Sequence, residues 1–171
     1  MKTIKIILLS LAFLAILKPI KAQNATASAA VNTVVTAYLE IKNALTIDNN
    51  ELAKTKAKEL LTAISVVPAD KLTTDQKTLW TAYANKLNFY SRHISESTAI
   101  DHQRDHFTSL SKNMFEVVKG LKLNTATIYE QYCPMKKATW LSETSTIKNP
   151  YYGKQMLTCG KTTETLAPAT K

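Results

Sequence analysis

The sequence predicts an all-α protein: an up-down-up-down four-helix bundle with an irregular, partly β C-terminal extension. Three observations predict it. From about Ser28 to Lys122 the chain has one proline, Pro68, and no glycine before Gly120, so little interrupts a helix there. Apolar residues in that stretch recur every three or four positions. Beyond it, Pro134, Pro150, Gly153 and Gly160 punctuate shorter segments, and both cysteines appear.

The first element is a leader. Lys2 and Lys5 give a positive start, Ile6 to Leu17 is apolar apart from Ser10, and Ile20-Lys21-Ala22 offers a small residue at a cleavage point. The apolar run has 12 residues, against the ~20 that cross a hydrocarbon core. Residues 1–22 therefore read as a signal peptide, not a membrane span, and the mature protein is expected to be periplasmic or secreted. No cysteine lies near the cut to invite lipid attachment. Cleavage would leave 149 residues, one domain's worth, and losing Lys2, Lys5, Lys18 and Lys21 lowers the net charge from +9 to +5. The remaining lysines are scattered, with no basic stripe interleaved with aromatics, so nucleic acid is not an expected partner. The domain is read over residues 28–163, with residues 164–171 as a flexible tail.

Four helices follow. Val31, Val34, Val35, Tyr38, Leu39 and Leu45 mark the apolar face of the first, which ends near Asp48. Asp48 stands three residues before Glu51, a capping-box spacing that would open the second helix with Leu52, Ala57, Leu60, Leu61 and Ile64 on its face. Thr73 and Gln76 repeat that spacing at the third, which presents Leu79, Tyr83, Leu87, Tyr90 and Ile94. Thr98 with Asp101 would open the fourth, whose stripe is Gln103, Phe107, Leu110, Met114, Val117 and Leu121, alternating steps of four and three as a bundle seam does. In the extension, residues 127–132 are β-prone and run into Cys133-Pro134-Met135. Trp140 is assigned to a loop, and Asn149-Pro150 starts a turn that Gly153 ends.

The residues that can carry chemistry point to metal and not to catalysis. There is no Gly-rich phosphate loop, no Gly-x-Ser-x-Gly elbow and no Cys-x-x-Cys, and no nucleophile–base set can be named, so an enzyme is not expected. His102 and His106 have the i, i+4 spacing of a helical metal pair, but Gln103 stands where a His-Glu-x-x-His zinc protease needs its glutamate. His93 lies about a turn before the expected connection between helices three and four, and His102 about a turn after it. Antiparallel packing brings these two to one level, with His106 ~6 Å further along the axis. Taken alone, His93 reads as a partly buried polar residue. Soft donors gather in two windows, Cys133/Met135 and Met156/Cys159, and thiolate and thioether sulfurs suit Cu(I). Met114, on the seam, reads as core. The cysteines admit two readings: a metal site, or a disulfide closing a 27-residue loop, worth ~3–4 kcal/mol by chain entropy.

The segments IDHQRDHFTSLSKNMFEVVK and YEQYCPMKKATWLSETSTIKNPYYGKQMLTCG resemble an uncharacterised exported domain family of unknown function, which is also found fused to periplasmic adaptor subunits of heavy-metal efflux pumps in Gram-negative bacteria. The likeness runs from about Val31 to Thr163. It rests on Gln103-Arg104, Phe107, Leu110-Ser111, Cys133-Pro134-Met135, Trp140, Asn149-Pro150-Tyr151-Tyr152-Gly153 and Met156-Leu157-x-Cys159-Gly160. Cys-Pro-Met is also similar to the core of small heavy-metal modules in copper pumps, although Lys136 stands where they carry histidine. The resemblance implies a setting in metal efflux or homeostasis, with an adaptor or other pump component as partner. The expected activity is heavy-metal binding, copper as Cu(I) first and zinc or mercury as alternatives, with His102, His106, Cys133, Met135, Met156 and Cys159 as candidate ligands. The alternative is a disulfide-stapled interaction module without a metal site.

Overall fold

A computed structural model describes residues 18–169 of the chain. The signal peptide read at residues 1–22 lies, for its first 17 residues, outside them. Four helices, α1 (Lys18–Thr46), α2 (Asn50–Ser65), α3 (Thr74–Glu96) and α4 (Ile100–Leu121), precede three strands, β1 (Ile128–Cys133), β2 (Ala138–Ser142) and β3 (Lys161–Leu166). Each helix packs on the next in sequence, and β2 packs on α4. No described helix is long and apolar enough to cross a membrane.

The predicted apolar faces form the core. On α4, Gln103, Phe107, Leu110, Met114, Val117 and Leu121 are all buried, joined by Tyr38, Ile41 and Leu45 of α1, Leu60 of α2, and Trp80, Leu87 and Ile94 of α3. Tyr38 stacks on Phe107 with ring centroids 5.2 Å apart. Its hydroxyl lies 2.8 Å from Ser111 Oγ and accepts the Leu141 N–H at 3.0 Å, which ties α1 and α4 to β2. Burial drives the Tyr38 phenol far above its usual range, so that hydroxyl stays protonated.

The helix starts differ in detail from those expected. Thr73 and Gln76 do form a reciprocal capping box. At α2, however, the N-cap is Asn49, whose side chain accepts the Leu52 N–H, and not Asp48. Asp48 takes a left-handed conformation (φ 60°) and turns to Arg104 and to the Lys154 N–H instead. The α4 N-cap is Ala99, without a side-chain cap, and not Thr98. Gln103 secures this junction in another way: its Nε2 donates to Asn50 O at 3.0 Å, Ser97 O at 2.8 Å and Ile94 O at 3.4 Å, holding the α3–α4 connection.

The extension is more regular than expected. β1 is central in an antiparallel sheet of order β2-β1-β3, with Cys133 opposite Ala138, Gln131 opposite Trp140, and Tyr132 opposite Lys161. Trp140 is therefore a buried strand residue and not part of a loop. The chain does not trail off at residue 164: β3 runs to Leu166, and Asn124 bonds Ala167 O and the Ala169 N–H. Arg104 clamps this extension to the bundle. Its Nε donates to Pro150 O at 2.9 Å, and its Nη2 donates to Leu45 O at 3.2 Å and to Asp48 Oδ1 at 2.6 Å. Gly153, at φ +52°, passes so close that a Cβ there would lie 1.9 Å from Asp48 Oδ1.

Candidate metal centre

The connection between α3 and α4 is only Ser97–Ala99, pinned by Gln103 as described and by the Ala99 N–H donating to Ser97 Oγ at 3.1 Å. A connection that short folds the end of α3 onto the start of α4. His93, in the last turn of α3, thereby meets His102 and His106 of α4. One ring nitrogen from each of the three lies within 4.8 Å of the others. His102 Nε2 and His106 Nε2 are 3.1 Å apart, a contact that needs one shared proton. The His93 and His106 rings stack at 4.5 Å and 10°, and the His102 and His106 rings meet edge-on at 4.5 Å and 70°. His102 is exposed; His93 and His106 are half-buried.

Three imidazoles at this spacing suit one first-row metal ion. Bonds of ~2.0–2.1 Å at a tetrahedral angle put ligand nitrogens roughly 3.3 Å apart. The His102–His106 separation is already near that, and the third nitrogen is within about an ångström or two of it. A metal ion held by these residues would take the place of the proton between His102 and His106. The local electrostatics keep His106 ready to coordinate: partial burial, then the neighbouring His102 and His93, hold its imidazole below the usual histidine range. Phe89, 52% exposed, lies with its ring 4.4 Å from that of His93 and covers one flank of the group. Among the described residues, no carboxylate or thiol joins the three.

The sulfur donors are placed elsewhere. Cys133 ends β1 in the core, and Cys159 is half-buried just before β3. Both are free thiols, and the β1–β3 register, with Tyr132 opposite Lys161, brings the end of β1 and the residues just before β3 side by side. Met135 does not share a face with Cys133. Pro134 begins a hairpin turn and not an extended run, Lys137 closes it in a left-handed conformation, and Met135 is 63% exposed at its tip. Met156 is half-buried and accepts the Cys159 N–H through its backbone carbonyl. The six residues named from sequence thus fall into a histidine pair, completed by His93, a thiol pair, and two methionines. His93 is half-buried, as its sequence reading has it, and it meets His102 and His106 through the short connection that the sequence places one turn beyond it.

A family model described as "Protein of unknown function (DUF3347)" matches residues 34–126. The chain belongs to that family. The DUF3347 segment is narrower than the span of residues 31–163 expected from the resemblance. It ends before β1, so it includes His93, His102 and His106 and neither cysteine. No curated protein and no solved structure matches this DUF3347 chain.

Proposed function

We propose that this chain is an exported heavy-metal-binding protein whose site is the histidine trio His93, His102 and His106, and that copper is its preferred ion. The observation that carries this reading is the convergence of three imidazole nitrogens, from two helices, within 4.8 Å of one another. Imidazole suits copper, zinc, nickel and iron, and on a given nitrogen site Cu²⁺ outranks the other first-row divalent ions. Zinc is the competing ion. A mercuric or cuprous ion would prefer the thiols. Export rests on the leader at residues 1–22; a link to metal efflux and a pump adaptor as partner rest on the resemblance. The helices are taken to alternate up and down, as the three-residue α3–α4 connection supports.

The test is a titration of the chain from Gln23 onward with Cu(II) and Zn(II) against a competing chelator. Tight one-to-one binding is expected, stronger for copper. His93→Ala and the double change His102→Ala/His106→Ala should each weaken it by at least the ~10–100-fold that losing a mere supporting partner costs, with helical content unchanged. If wild type competes no better than the triple histidine variant, the metal reading is wrong and the interaction-module reading takes its place.

A further inference from the structure

The thiol pair is independent of the histidine trio and has its own geometry. Cys133 and Cys159 come from segments 27 residues apart, counted inclusively, yet the sheet brings those segments side by side. β3 pairs with β1 up to Tyr132 opposite Lys161, so the chain entering β3 must cross close beside Cys133. Gly160 makes the crossing possible: a Cβ there would lie 2.8 Å from the Trp140 ring and 3.0 Å from Tyr132 O, at φ +154°. Asn149 Nδ2 donates to Cys159 O at 2.7 Å, and the Cys159 N–H donates to Met156 O at 3.0 Å, which fixes the backbone carrying the second sulfur.

The two thiols are not equivalent. Cys133 is fully buried and accepts the Lys136 N–H on its sulfur at 3.4 Å. Cys159 is half-buried and meets solvent. Its thiol is pushed up, first by its partial burial and then by the adjacent Cys133, so it reacts through a small thiolate fraction at neutral pH.

We propose that Cys133 and Cys159 form an intramolecular disulfide by thiol–disulfide exchange, with Cys159 as the entry thiol and Cys133 as the resolving thiol. The oxidant is a disulfide, either a small one or that of a disulfide-donor protein. The Cys159 thiolate attacks the donor, an S–S bond forms between Cys159 and one donor sulfur, and the other donor sulfur leaves as a thiolate that takes up a proton. The Cys133 thiolate then attacks Cys159 Sγ, the Cys133–Cys159 bond forms, and the second donor sulfur leaves and is protonated. Two protein thiols are oxidised and one donor disulfide is reduced to two thiols. The product locks the end of β1 to the entry of β3 and restricts the unfolded chain.

The probe is oxidised glutathione added to the reduced full chain, followed by thiol alkylation and intact-mass analysis. Wild type should lose two hydrogens, retain no glutathione, take up no alkylating agent and yield one linked peptide containing both cysteines. Its urea midpoint should rise on oxidation. Cys133→Ser should trap glutathione on Cys159, while Cys159→Ser should react much more slowly, because only the buried sulfur remains. Wild type that keeps both thiols, or that accumulates glutathione adducts, overturns the proposal; so does equal reactivity of the two single variants in folded protein. The triple histidine variant should oxidise like wild type, so failure here is distinct from failure of the metal site.

Discussion

Replacing Arg104 with methionine should cost this protein about 3 kcal/mol of stability. Arg104 is 9% exposed, and its guanidinium makes three bonds, to Pro150 O, Leu45 O and Asp48 Oδ1. The two carbonyls left without their donor cost about 1 kcal/mol each. The Asp48 bond is charge-assisted, but Asp48 keeps 34% of its side chain in solvent, so the pair is discounted to about 1 kcal/mol. With a urea m-value of about 2 kcal/mol/M for a domain of this size, the midpoint should fall by about 1.5 M. Arg104→Lys keeps the charge without the fork and should lie nearer the methionine variant than wild type. Acid supplies a second check. Partial burial opposes ionisation of Asp48, but the Arg104 and Lys154 hydrogen bonds outweigh it and hold the carboxyl below its usual range. A carboxylate lowered in the folded state gives its full stabilisation above the unfolded value, ~3.9, and loses it as the pH falls through the folded value. The gap between wild type and Arg104→Met should therefore be widest near neutrality and shrink in acid. A midpoint within about 0.3 M of wild type, or a gap that acid leaves intact, would show that Arg104 does not clamp the extension.

Two further substitutions probe the same junctions. Lys42, 2% exposed, is paired at 2.7 Å with Glu143, which keeps 39% of its side chain in solvent; Glu143→Gln should destabilise by about 1–3 kcal/mol, less than for a fully buried pair, whereas Lys42→Met should be near neutral in thermal unfolding. Equal losses for both would refute the burial asymmetry. Tyr38→Phe strands the Leu141 N–H and the Ser111 hydroxyl and should cost about 1–3 kcal/mol by urea titration, while an unchanged midpoint would mean that the sheet is not hung from α1.

The helices were legible because their cores are written in local periodicity: every residue of the Gln103–Leu121 stripe is buried as the pattern required. Boundaries were less legible where a distant partner decides them. Asp48 has the spacing of a cap, but Arg104, 56 residues away, claims its carboxylate and leaves the cap to Asn49. Gln103 looked like one more core position, and nothing in the sequence says that its amide would bridge three carbonyls around two helix junctions. β3 was hidden by composition, since a short, exposed, threonine-rich segment reads as a tail until its pairing with β1 is known. The candidate site was half legible. Helical spacing joins His102 to His106, whereas His93 joins them only through the length of a connection.

The division of labour on α4 bears on what kind of site the proposed metal centre would be. Arg104 and Asp105 are engaged by the extension, Arg104 through Pro150 and Asp105 through Lys136 at 2.8 Å. His102 and His106, on either side of them in sequence, turn instead towards α3. Among the described residues, the bonds to Pro150, Leu45 and Asp48 that clamp the extension to the bundle come from Arg104 and not from the histidines. Structural zinc sites are closed by four protein ligands and stabilise the fold outright. Here three nitrogens converge at a partly exposed edge, with an exposed phenyl ring on one flank and, among the described residues, no carboxylate, thiol or fourth imidazole in the group. An open coordination position at the surface lets an incoming donor from a chelator or a partner protein bind before a histidine lets go. Under the proposed metal-binding reading, such a site would exchange its ion, which fits a buffer or carrier better than a structural centre.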